Sequence, residues 1–156
     1  MAPKFRILIL HGPNLNLLGR REPHIYGKIT LNEIDARLQN LATELGVELI
    51  IQQSNHEGVL VDSFHKHIDD VDGALLNPGG LTQHSVSLHD SIKAMPFPVI
   101  EVHLSNLATR EEWRHTSMIS PAVRGSIVGL GWRSYTVALR ALVEIVGDSR
   151  QDGASG

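Results

Sequence analysis

The chain has no cysteine among its 156 residues. That excludes disulfides, thiolate metal sites and thiol redox chemistry, and it is compatible with a reducing compartment. Nor does any apolar run approach the roughly 20 residues of a membrane-spanning helix. The opening Met-Ala-Pro-Lys leads straight into a strand-like run without the pattern of a secretory signal. The expectation is a cytoplasmic protein with no membrane partner. A basic block is missing too: 14 Lys and Arg stand against 17 Asp and Glu, a net charge of −3. Nucleic acid is therefore not an expected partner, whereas a small anion held by a few arginines is compatible with this balance. There is no internal repeat and no interdomain linker. At this length two domains would each bury too little surface, so 1–150 is expected to be one domain and 151–156, rich in Gly and polar residues, a flexible C-terminal tail.

What the sequence does contain is a regular alternation of two patterns. Short, nearly continuous apolar runs at 5–10, 47–51, 73–76, 99–104 and 126–128 read as strands buried in a parallel sheet. Between them, helical periodicity is clearest from Leu31 through Ile34, Leu38 and Leu41 to Leu45. Thr30 and Glu33 form a capping box ahead of it, and Gly46 closes it. Further helices are expected over 59–70, from the turn at 77–82 (capped by Thr82) to about 95, in a short piece near 110–116, and from 132 or 135 to 146. Five strands alternating with helices imply an α/β, three-layer αβα sandwich with a five-stranded parallel sheet in flavodoxin-like order. In such sheets ligands bind beyond the carboxyl ends of the strands. The polar clusters 11–27, 52–58, 77–84 and 103–110 all follow strands, so one shared crevice is expected.

The first cluster, 11–27, reads as one loop holding two asparagines, two arginines, two histidines and one tyrosine, with three glycines and two prolines. Tyr26 lies close to Arg20 and Arg21. A tyrosine acts as a base only when ionised, and moving a pKa from about 10 to about 7 takes about 4 kcal/mol, which a guanidinium in a dry site could supply. By itself the same pattern also describes an amphipathic anchor beside two solvated arginines. Glu101 and His103, two residues apart, share one face of their strand, so the carboxylate can orient the imidazole as a proton donor. A strand-end hydrogen bond alone has the same spacing. Asn77-Pro78-Gly79-Gly80 offers an amide and accessible backbone N–H groups, or simply a turn. Arg110 and Arg114 could clamp a carboxylate or face solvent beside Glu111 and Glu112. No spacing of histidines or carboxylates argues for a metal.

Taken in order, Gly12-Pro-Asn-Leu-Asn-Leu-Leu-Gly-Arg-Arg-Glu-Pro, Ile25-Tyr-Gly, Gln53-Ser-Asn-His-Glu-Gly, Asn77-Pro-Gly-Gly, Glu101-Val-His-Leu-Ser-Asn, Arg110-Glu-Glu-Trp-Arg-His and Gly129-Leu-Gly resemble the type II 3-dehydroquinate dehydratases. The likeness runs from about Ile7 to Val146. It implies a lyase that removes water from 3-dehydroquinate by trans elimination through an enolate, a step shared by the shikimate and quinate pathways, with no metal, cofactor or Schiff base. By the same resemblance Tyr26 is the base, Arg21 its electrostatic partner, Asn14 a support for the enolate through a bound water, and His103 the acid oriented by Glu101. Asn77, Gln83, Asp90, Leu104, Ser105 and Arg114 become substrate contacts, Asp90 from a neighbouring subunit of a homododecamer built as four trimers.

Three stretches depart from the family pattern. Thr82-Gln83-His84-Ser85 stands where Thr-His-Thr-Ser is usual, Ser87-Leu88-His89-Asp90 replaces Ala-Leu-Arg-Asp, and Leu107-Ala108-Thr109-Arg110 replaces Val-His-Ala-Arg. Gln83 keeps a hydrogen bond but carries no charge, which points to weaker binding more than to lost chemistry. The rival expectation, motivated by Gln83, His84 and His89, is a non-catalytic ligand-binding homologue on the same fold.

Overall fold

A computed structural model describes residues 4–155. Five parallel strands, β1 (Arg6–His11), β2 (Glu48–Gln53), β3 (Gly73–Asn77), β4 (Val99–His103) and β5 (Gly125–Val128), lie in the order β2-β1-β3-β4-β5, the flavodoxin-like arrangement expected. The helices are α1 (Pro23–Tyr26), α2 (Leu31–Leu45), α3 (Glu57–Lys66), α4 (Val86–Ala94) and α5 (Arg133–Ser155).

The sheet is covered on both faces because its strands are apolar on both. Ile7, Ile9, Leu75, Ile100 and Val102 face a core shared with Leu38 of α2 and Leu142 of α5. Their neighbours Leu8, Leu10, Ala74, Leu76 and Val99 face a second core with Leu60 and Phe64 of α3 and Leu88 and Ile92 of α4. Period-two alternation thus fixes which layer each strand-end side chain enters. His11 and Asn77 continue the α2/α5 face, while Glu101 and His103 continue the α3/α4 face. The capping box at α2 is present, with Thr30 accepting from the Glu33 N–H and Glu33 accepting from the Thr30 N–H.

The structure corrects three expectations. The stretch 11–27 is not one loop: His11 is the last residue of β1, Leu15–Leu17 is a 3-10 turn and Pro23–Tyr26 is a helical turn with proline at its start. Ser85, not Thr82, caps α4 by accepting from the Leu88 N–H, because the 3-10 turn Gly79–Gln83 carries the chain further before the helix begins. Residues 151–155, expected as a frayed tail, are the last turns of α5. No proline interrupts them, and Arg150 anchors the preceding turn through an ion pair with Asp72 and a place over the Phe5 ring. Gly156 lies outside the described residues. Among those residues no helix is long and apolar enough to cross a membrane.

One backbone approach brings the β1 and β3 ends together. A Cβ added at Gly12 would stand 2.6 Å from the Pro78 carbonyl oxygen and 2.9 Å from that of Asn77. Both are main-chain atoms that cannot swing aside. Gly12→Ala should therefore lower stability by about 1–3 kcal/mol in urea unfolding. Gly58→Ala, in α3 with open space around it, should be neutral or stabilising by up to about 1 kcal/mol. Equal effects from the two substitutions would contradict this packing.

Candidate active site

A crevice of about 200 Å³ opens at the carboxyl ends of β1, β3 and β4. Its walls include Asn14, Arg21, Tyr26, Asn77, Gln83, His103, Leu104, Ser105, Arg110 and Arg114. All ten were candidates from sequence; what the structure adds is the place of Arg110, against Tyr26. Glu101 sits behind His103, buried. Asp90 does not line the crevice; its side chain is 70% exposed and bonded to His89. The cluster 52–58 also stays outside. It works as a prop, with Asn55 Oδ1 accepting from the Asn14 N–H at 2.9 Å and the Gln53 amide donating to the Gly12 carbonyl at 3.2 Å. Asn14 is thereby held at φ 69, a left-handed conformation that asparagine tolerates better than most residues.

The His103 side of the crevice is built on a strand. Glu101 Oε2 accepts from His103 Nε2 at 2.5 Å and from the Ser117 hydroxyl at 3.0 Å, and Oε1 accepts from Ser120 at 2.7 Å and Ser126 at 3.4 Å. Burial alone would raise the Glu101 pKa. The His103 hydrogen bond and charge, with the bonds from Ser120 and Ser117, outweigh it and hold the carboxyl below its ordinary value. With Nε2 committed to Glu101, Nδ1 is the ring nitrogen left for a ligand.

The Tyr26 side of the crevice is built on the short α1. Arg110 Nη1 donates to the Tyr26 hydroxyl at 2.8 Å, and its guanidinium carbon lies 5.1 Å from the ring centroid. Arg21 lies 5.0 Å from the same centroid and reaches Glu22 at 3.6 Å. Sequence proximity points to Arg20 and Arg21, and the resemblance to Arg21, as partners of the phenol; the direct donor is Arg110, 84 residues away. Arg110 meets the Tyr26 oxygen directly, whereas Arg21 lies over the face of the ring. The Arg110 side chain is only 8% exposed, so solvent screens it little.

The remaining wall offers a guanidinium and an amide. Arg114 is held by Glu111 at 2.7 Å. Gln83 donates to the Arg114 carbonyl at 3.4 Å, leaving its Oε1 buried with no hydrogen-bond partner among the described residues. That acceptor can take a ligand hydroxyl. Among the described residues no three His, Cys, Asp or Glu side chains are grouped as metal ligands would be. A proton acceptor, a separate proton donor and guanidiniums around one small crevice suit proton abstraction and protonation on a small carboxylate substrate.

Comparison with known proteins gives a consistent result. Residues 5–143 match the model of the family described as dehydroquinase class II. The chain is 51% identical over 138 residues to the 3-dehydroquinate dehydratase of Roseiflexus castenholzii, covering 88% of each protein. It is likewise 51% identical to the 3-dehydroquinate dehydratase of Desulforudis audaxviator, over 96% of this chain and 99% of that one. The crystal structure of type II dehydroquinase from Propionibacterium acnes superposes with a TM-score of 0.88 at 39% identity, covering 92% of this chain and 99% of the other.

The lowered pKa of Glu101 has a consequence for stability. Its folded-state value lies below the reference value of 4.5. The pairing therefore contributes stability in full above that value and loses it as pH falls through the folded value. In urea unfolding, wild type should exceed Glu101→Gln in stability at pH 7, and the gap should narrow as pH drops below about 4.5. A gap that stays constant down to pH 3 would contradict the assignment.

Proposed function

Because the chain belongs to the class II dehydroquinase family, we propose that its crevice dehydrates 3-dehydroquinate to 3-dehydroshikimate, with Tyr26 as base and His103 as acid. The observation that carries this reading is the pairing within one crevice of a phenol bonded to Arg110 and an imidazole bonded to a buried carboxylate. Ionised Tyr26 takes a proton from the carbon beside the ketone, and the electron pair moves onto the carbonyl oxygen as an enolate. Arg21 and Arg110 offset the phenolate charge before that transfer. Asn14, acting through a bound water, supports the enolate. The enolate then collapses, the carbon–oxygen bond breaks on the trans side, and His103 delivers the proton that turns the departing hydroxyl into water. Glu101 keeps the imidazole turned toward the leaving group and balances its charge. A base and an acid supplied by separate residues let both steps run at one pH.

Substrate contacts in this reading are Asn77, Gln83, the Leu104–Ser105 segment and Arg114, the last for the carboxylate. Asp90, exposed and outside its own chain's crevice, reaches a neighbouring subunit's site in a homododecamer of four trimers. Residues 1–150 act as one catalytic domain, and the cytoplasm is the place of action. The rival non-catalytic reading loses its motive. The substitutions that prompted it, at Gln83, His84 and His89, leave every acid and base in place.

The test is turnover, followed by the ultraviolet absorbance of the conjugated product. Tyr26→Phe should lower kcat by at least about 10²-fold while 3-dehydroquinate still binds. Arg110→Met, which keeps bulk and removes the charged donor, should cost about 10²-fold. Near-normal turnover by Tyr26→Phe would remove it from the base role, and an inert wild type at high enzyme concentration would overturn the activity.

A further inference from the structure

We propose that Asp35, His11 and Tyr135 form a hydrogen-bonded relay that fixes the orientation of the Asn77 amide, and with it the polarity Asn77 presents to the substrate. The inference rests on the reading of the crevice as a dehydratase site in which Asn77 touches the substrate. The three relay members do not line that crevice. They are positioning residues.

The strand pattern puts the relay together. Ile7 and Ile9, and Leu75 on β3, face the α2/α5 core. His11 and Asn77 continue those rows and are register partners at the ends of the two strands. Two polar side chains are thus driven side by side into the top of an apolar layer. Buried polar groups there are costly unless paired. Each covering helix sends one partner: α2 supplies Asp35 and α5 supplies Tyr135. His11 Nε2 lies 2.8 Å from Asp35 Oδ1, and His11 Nδ1 lies 2.8 Å from the Tyr135 hydroxyl. The Asn77 side chain is hydrogen-bonded to the same phenol oxygen. His11 and Tyr135 are wholly buried and Asn77 nearly so.

With Asp35 ionised and the His11 imidazole neutral, the hydrogen bonds run in only one direction. A carboxylate accepts, so His11 must carry its proton on Nε2 and offer the Nδ1 lone pair. The Tyr135 hydroxyl then donates to Nδ1, and its oxygen accepts. Burial raises the pKa of this phenol, so the hydroxyl keeps its proton. Asn77 must therefore turn its Nδ2–H toward Tyr135. The Gly79 N–H donates to Asn77 Oδ1 at 3.2 Å, which demands the same orientation. An amide has nearly the same shape either way round, and only its hydrogen-bond network decides which end faces where. Without the relay Asn77 could reverse and change a donor for an acceptor at the substrate, while a chain of polarised hydrogen bonds resists that reversal cooperatively.

Asp35 is the member to perturb, because it stands on the surface side of the relay with its carboxylate 26% exposed. Asp35→Asn should leave the thermal midpoint close to wild type and lower kcat/KM about tenfold. Asp35→Glu should restore most of that loss. In an Asn77→Ala background, Asp35→Asn should cause no further loss, since the group it orients is gone. Nitrogen-15 NMR of His11 should show the Nε2-protonated tautomer in wild type and a changed tautomer in Asp35→Asn. An active wild type with Asp35→Asn at full kcat/KM, or with losses that simply add to those of Asn77→Ala, would overturn the relay. An Nδ1-protonated His11 would overturn its direction. An inert wild type would instead defeat the dehydratase reading, and the NMR measurement would still decide the relay.

Discussion

In the middle of β4 the Glu101 carboxylate is buried to 1% exposure, and four side chains converge on it. A buried carboxylate left unpaired costs several kcal/mol, and removing one partner of such a cluster typically costs about 3–5 kcal/mol. The chain after β4 is arranged to prevent this. Ser117 and Ser120 come from the irregular segment that leads to β5, and Ser126 is the register partner of Glu101 on β5 itself. One charge therefore joins an edge strand, the segment before it and the orientation of His103. The His103 imidazole is fixed by the same contacts that close this side of the sheet.

The phenol across the crevice is held differently. Tyr26 ends a four-residue helix entered through Glu22 at φ 40, a sparsely populated conformation for a residue with a side chain. A turn that short gains little from its own hydrogen bonds. What holds Tyr26 at the crevice is the Arg110 hydrogen bond from the loop after β4, together with the guanidinium of Arg21 over its ring. His103 and Tyr26 are thus coupled through the β4 exit: Glu101 and His103 on the strand, Arg110 seven residues beyond it. The arrangement gives a rigid donor, an acceptor positioned by charge, and between them a crevice whose third strand end carries an amide oriented from behind.

Much of this was legible in the sequence because strand periodicity is strict. The five apolar runs, the box at Thr30 and Glu33, and the shared face of Glu101 and His103 follow from local spacing alone. The role of Tyr26 does not. Its neighbours in sequence are equally those of a surface anchor, and the family resemblance, not residue chemistry, singled it out. What escaped detection was contact across long separations. Arg110 meets Tyr26 at a distance of 84 residues, and Tyr135 meets His11 at 124. No local pattern marks such pairs. His11 was read into a loop because Gly12 and Pro13 follow it, although its place at the end of an apolar run was a signal that it stayed in the strand. The cap of α4 fell on Ser85 because a 3-10 turn intervened, and helix-to-turn transitions of that kind depend on tertiary contacts such as the Ser85 to Glu57 bond of 2.6 Å.

The fate of a labelled hydrogen tests the central claim most directly. Purified protein is given 3-dehydroquinate that carries deuterium at the carbon beside the ketone, on the side trans to the departing hydroxyl, and the product is analysed by mass spectrometry. The account predicts a conjugated product that has lost the deuterium. A product that retains it would mean that the proton leaves from the other face, and would contradict the assignment of base and acid made for this crevice.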